Sequence, residues 1–270
     1  MKNTIIAIAS LFAFAACKNE VKENDTATMQ PDAVQVDVSK YPQGLQEVFQ
    51  THGGLQKWSE MQTLTYTMPK KTGYETHTVD LKNRNTLVEG PGFKLGSDAG
   101  KVWIAQDTVA FPVERARFYH NLMFYFYAMP FILADDGIVY SDAPALVKDG
   151  ISYTGLKIGY KANVGDSPDD EYVLYYHPET KRMEWLSYTV TYGKNEKSPN
   201  FKFIKYGDWQ EVNGLILPQT LNWYNVENNL PTTVQTEGPY AAVNFTKVDI
   251  DKAGMDAGFY KMPQNGKLVD

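Results

Sequence analysis

Apolar positions in this chain follow helical spacing only near the start. Leu45, Val48, Phe49, His52 and Leu55 make one stripe, and Thr51-His52-Gly53-Gly54 supplies glycines that can end a helical turn in the left-handed conformation. His52 on that stripe reads as a packed or capping histidine rather than a ligand. From Leu64-Thr65-Tyr66-Thr67-Met68 onward the period becomes two. Turn residues then separate strand-like runs at 75–81, 84–89, 101–105, 138–141, 152–160 and 171–177. Further runs follow at 182–192, 201–206, 215–224 and 241–250, with Asn213-Gly214 as a hairpin signal. Roughly ten or eleven short strands without βαβ alternation predict a curved antiparallel sheet.

In 172–176 and 185–190 both faces of the strands are apolar, so something covers the second face. The candidate cover is Val113 to Ala134, which carries no charge from Asn121 onward. A helix apolar nearly all round must be buried on several sides. Phe118, Leu122, Tyr125 and Met129 line one helical face, Tyr119, Met123, Phe126 and Pro130 the next. Pro130 ends or kinks the helix, and Asp135-Asp136-Gly137 is the exit turn. Two readings stay open: the segment is ordinary core filling the sheet's concave side, or it is a lid in which methionines repack around an apolar ligand.

The extreme amino terminus follows a different logic. Met1-Lys2-Asn3 is a short positive region, 4–14 is uncharged and mostly apolar, and Phe14-Ala15-Ala16-Cys17 resembles the lipobox of bacterial lipoproteins. That resemblance implies a signal peptide over 1–16, lipidation of Cys17 and a polar tether over 17–38 ahead of a single domain over 39–270. The lipid anchor would hold the chain on a membrane, and Lys18 favours outer-membrane lodging in the cell envelope, facing the periplasm or the surface.

Composition narrows the chemistry. The net charge of −6 disfavours nucleic acid as a partner. With its one cysteine lipidated, the chain has no thiol for disulfides, catalysis or metal ligation. The histidines His52, His77, His120 and His177 are scattered, and no phosphate cradle or nucleophile elbow is present. The acidic string Asp166 to Glu171 departs from calcium-loop spacing and reads as a solvated hairpin loop. Glu114 and His120, with Arg115 and Arg117 beside them and Asp135 and Asp136 at the far end of the segment, form the best acid–base candidate, but a helix-start acid and snorkelling arginines account for them better. No catalytic residue, metal or cofactor is assigned.

Three stretches carry a family resemblance: Thr51 to Trp58 with Thr63-Leu64; Tyr175 to Thr180 with Met183 and Trp185; and Tyr206 to Trp209 with Asn213 to Pro218. In this order they resemble the LolA/LppX-type carriers, and within that class the uncharacterised lipoproteins of Bacteroidota. The resemblance implies a mainly β (α+β) unclosed half-barrel with helices in or over its concave face. It also implies a non-catalytic protein that shields a lipid, a lipoprotein acyl chain or another apolar ligand. Trp103, Phe124, Phe126, Tyr127 and Met129 are the expected apolar lining. A structural or adaptor lipoprotein without a cavity is the alternative, and a hydrolase of lipid-like substrates a more distant one.

Overall fold

The stripe from Leu45 to Leu55 folds as two helices rather than one. In the computed structural model, which describes residues 35–161, 169–192, 196–238 and 241–269, α1 (Gln43–Thr51) buries Leu45, Val48 and Phe49. The second helix, α2 (Leu55–Glu60), buries Leu55 and Trp58. Gly53 and Gly54 part them at φ of 104° and 93°, values that side chains with a Cβ rarely adopt. Cys17, the signal peptide and the tether up to residue 34 lie outside the described residues, as do Asp166, Ser167 and Pro168 of the acidic string.

The chain then runs back and forth as β1 (Thr63–Lys70), β2 (Gly73–Asp80), β3 (Thr86–Gly90), β4 (Phe93–Asp98) and β5 (Lys101–Ala105). After the aromatic segment come β6 (Ile138–Lys148), β7 (Ile151–Tyr160), β8 (Tyr172–Tyr176), β9 (Met183–Tyr188) and β10 (Lys202–Gly207). A small hairpin, β11 (Gln210–Val212) and β12 (Leu215–Leu217), turns at Asn213-Gly214. The remaining strands are β13 (Thr220–Glu227), β14 (Leu230–Val234), β15 (Ala242–Asn244), β16 (Thr246–Asp251) and β17 (Lys267–Val269).

These strands pair into two antiparallel sheets. The first has the order β16-β1-β2-β3-β4-β5-β17, the second β14-β13-β10-β9-β8-β7-β6 with β15 also on β13. The chain leaves β13 through β15 and joins β1 through β16, turning at the buried Phe245. At the far ends, β6 and β17 do not pair with each other, so the wall stays open. The architecture is a mainly β, unclosed half-barrel.

Strand parity sorts the side chains. Leu64, Tyr66 and Met68 of β1 share the inner face with Val79, His77 and Glu75 of β2, which they oppose directly. Inward residues of both sheets, both helices and the aromatic segment form the main core. The second apolar face of β8 and β9 is covered by side chains of the neighbouring strands. Val173, Tyr175 and Trp185 pack there with Tyr153, Phe203 and Leu146, the last from β6.

Candidate functional site

The concave face is covered by a chain of short turns. Val113–Arg115 is a 3-10 turn, followed by α3 (Ala116–Tyr119), α4 (Leu122–Tyr127) and a second 3-10 turn at Phe131–Ala134. The helix expected up to Pro130 is interrupted at Asn121, and α4 stops at Tyr127, shortly before Pro130. Met123, Phe124, Phe126, Tyr127 and Met129 are all buried, whereas Tyr125 is 37 % exposed and Phe118 and Leu122 are partly exposed.

Such short helices leave carbonyls without partners, and two wall tyrosines and Tyr41, just ahead of α1, take three of them. Tyr206 donates its hydroxyl to the Phe126 carbonyl at 2.7 Å, Tyr41 to Ala134 at 3.0 Å, and Tyr140 to Leu133. At the other end the segment is held by a side-chain cluster. Tyr119 donates to Glu75 Oε1 at 2.6 Å, His77 Nε2 lies 2.6 Å from the same oxygen, and Lys70 Nζ is 3.6 Å from Glu75 Oε2. Lys70 also donates to the Tyr119 hydroxyl at 3.1 Å. Burial alone would push the Glu75 carboxyl up, but the hydrogen bond and charge of His77, with Lys70 and Tyr119, bring it below the usual range. Tyr66 stacks on His77 with ring centroids 4.9 Å apart. Its hydroxyl and His77 Nδ1 are buried without a hydrogen-bond partner among the described residues.

Where the segment ends, a cleft of about 200 Å³ opens between it, α2 and the β2–β3 turn. Leu55, Trp58, Leu81, Phe131 and Val36 supply its apolar wall, and Arg84 and Asp135 its polar side. Trp58 and Phe131 stack at 4.7 Å. Arg84 Nη2 donates to both oxygens of Asp135, at 2.6 and 2.8 Å. Burial pushes the Asp135 carboxyl up, and Arg84 holds it partly back.

With this geometry in view, the comparisons place the chain. A model of a family of unknown function, DUF6503, matches residues 52–235. The chain belongs to the DUF6503 family. No curated protein matches it. Among solved structures, a DUF1329 family protein from Desulfovibrio piger is similar at 11% identity and a TM-score of 0.46, over 81% of this chain and 95% of the other. A LolA superfamily protein from Nitrosomonas europaea is similar at 11% identity and a TM-score of 0.45, over 79% and 97%. The Mycobacterium tuberculosis lipoprotein LppX is similar at 9% identity and a TM-score of 0.26, over 55% and 88%.

In this DUF6503 chain, Phe124, Phe126, Tyr127 and Met129 come together in the main core, and none of them borders the cleft. Trp103 does not join them. On β5 it alternates with Val102 and Ile104, which face the aromatic segment, so it points to the outer face. There it packs on Leu87 and Tyr260 and donates to the Tyr260 carbonyl at 3.0 Å.

The acid–base candidate disperses. Glu114 is exposed, the buried His120 places Nδ1 2.5 Å from the Arg117 carbonyl, and Asp135 is taken by Arg84. Asp170 accepts from the Thr191 backbone and hydroxyl, and Glu171 pairs with Lys157 and Lys197. Among the described residues no three acid, histidine or cysteine side chains are grouped to hold a metal ion. No described helix is long and apolar enough to cross a membrane.

The Glu75–His77 pair escapes a search for motifs. Its signal is spacing, since residues two apart on a strand share a face and Val79 shows that face to be the buried one.

Proposed function

We propose that this protein is an envelope lipoprotein, anchored to the outer membrane through Cys17, that holds a lipid or acyl chain in its half-barrel without transforming it. The observation that supports this most is the cover on the concave face. It contributes no strand to either sheet and is held by tyrosine hydroxyls, one carboxylate and apolar contacts. Moving it aside breaks no ladder between strands, so what an apolar chain must replace there is side-chain packing and a few side-chain hydrogen bonds. Methionines Met123 and Met129 within it suit repacking around chains of different shape. The resting cleft of about 200 Å³ is smaller than the roughly 300–1,000 Å³ of most small-molecule sites. Full occupancy therefore requires the cover to shift.

That same small cleft supports the second reading, an adaptor whose aromatic segment is permanent core. The two separate on titration of the full chain carrying Cys17→Ala with an apolar fluorescent dye. Saturable dye uptake, reversed by an envelope lipid extract, supports the ligand reading. A folded protein that takes up neither dye nor lipid overturns it in favour of the adaptor.

A further inference from the structure

Arg84 is built for a second acceptor. Its Nη2 carries both hydrogen bonds to Asp135, while Nη1 is shut off from solvent and has no partner among the described residues. A guanidinium usually meets a carboxylate through two nitrogens; here one nitrogen does all the work and the other is left over. An unmet buried donor on a charged group costs more than one on a neutral group.

The side chain is also held in place. Its guanidinium lies 5.1 Å from the Phe124 ring centre, and its backbone sits at φ 64° with the amide donating to the Asp80 carbonyl. The group is therefore fixed beside the cleft, at the end of an apolar wall formed by Trp58, Phe131, Leu55 and Leu81. Lys82, the other cation on the cleft, is engaged with the Ser59 carbonyl.

We infer that Arg84 anchors the head of the ligand, and that the ligand is an acyl chain whose head presents an acceptor oxygen, a carboxylate or an ester carbonyl. The chain lies along Trp58 and Phe131, and the shift of the cover that full occupancy requires opens Nη1, closed to solvent at rest, so that the head oxygen accepts from it. This inference rests on the proposed acyl-binding function and adds the chemistry of the head. A cleft of about 200 Å³ equals about seven waters at roughly 30 Å³ each, so the resting form has room for the first part of a chain, and the head reaches Nη1 once the cover shifts. A cationic head is disfavoured, because it would meet the guanidinium while both oxygens of Asp135, the carboxylate on the cleft, are already taken by Arg84.

The test uses the full chain with Cys17→Ala and three ten-carbon probes, decanoate, methyl decanoate and decyltrimethylammonium, followed by isothermal titration. The expected order is decanoate, then the ester, then the ammonium, with the ammonium at least about tenfold weaker than decanoate, equivalent to about 1.4 kcal/mol. Arg84→Met should weaken decanoate about tenfold without weakening the ammonium, which gains the freed Asp135 carboxylate. Because Arg84→Met strands Asp135, the double variant Arg84→Met/Asp135→Asn is measured beside it and should show the same loss. Equal binding of all three probes, unaltered in both variants, overturns the anchor while leaving the acyl-binding function intact. A wild-type protein that binds none of the probes overturns both.

Discussion

The His52 ring ties together segments far apart in the chain: Nε2 accepts the Met183 backbone N–H at 3.2 Å. Its Nδ1 donates to the Ile216 carbonyl at 3.0 Å, and the Ile216 amide returns a bond to the His52 carbonyl at 2.9 Å. Trp209 packs edge-on against the ring, with centroids 4.6 Å apart. These contacts fix the neutral Nδ1–H tautomer. They also join the three stretches that carry the family resemblance, so those motifs form one structural clasp between α1, β9 and β12.

The clasp predicts a pH response. Burial, opposed by the Ile216 carbonyl and aided by the Arg182 charge, brings His52 down from 6.5 to about 4. Its contribution is complete above about pH 6.5, because only the unfolded chain takes up the proton between there and about 4. Stability should fall as the pH drops through that window, by up to about 3 kcal/mol at the low end. Urea unfolding at pH 7.5 and pH 5 should show that loss reduced in His52→Gln. An identical pH slope in the variant would refute the assignment.

Gly53 sits where the clasp is tightest. Besides its positive φ, a Cβ there would collide with the Gly214 carbonyl oxygen, whereas a Cβ on Gly54 would meet only the Gln50 side chain at 4.0 Å. Both alanine variants carry backbone strain of about 1–3 kcal/mol. Gly53→Ala should lose clearly more than Gly54→Ala in thermal unfolding, and equal losses would count against the close approach.

Tyr119 is the hydrogen-bonded tie between the aromatic cover and Glu75. Tyr119→Phe should destabilise by about 1–3 kcal/mol, with faster amide exchange across 116–128 while β8 and β9 stay protected. A double-mutant cycle with Glu75→Gln should give a coupling above about 0.5 kcal/mol. Additive losses would mean that the hydroxyl and the carboxylate act independently.

Phe131 both packs the core and walls the cleft. Phe131→Ala should cost about 3–5 kcal/mol and enlarge the cleft, so longer acyl chains gain affinity relative to shorter ones. Unchanged chain-length preference in a folded variant would place the ligand elsewhere.

Much of the wall was legible because alternation survives wherever one face is buried. Lys101–Ala105 is a strand with the bounds read from the sequence, and β1, β2, β7, β8 and β10 match within two residues at either end. What was hidden has local causes. β4 escapes the pattern because Gly96 occupies an outward position that would otherwise carry a side chain; the Trp103 indole fills that space. β6 continues past Ser141 through a bulge between Ala143 and Leu146, which Asp142 and Pro144 disguise as a turn. The run 215–224 is split at Pro218, and 182–192 stops at Tyr188, beyond which Thr189 and Thr191 bond to Glu171 and Asp170. Within the site, the cover was legible from its lack of charge. Its break at Asn121 is a departure of one residue's backbone from helical φ, and the Arg84–Asp135 pair joins residues 51 apart, which no local pattern records.

The most direct measurement is native mass spectrometry of the full chain carrying Cys17→Ala, purified without detergent, followed by organic extraction. Binding of acyl ligands predicts excess mass on the folded protein, recovered as a lipid or acyl species and lost when Phe126 or Met129 is replaced by aspartate in a variant that still folds. A bare mass that stays bare after exposure to lipid would contradict the account and leave the aromatic segment as permanent core.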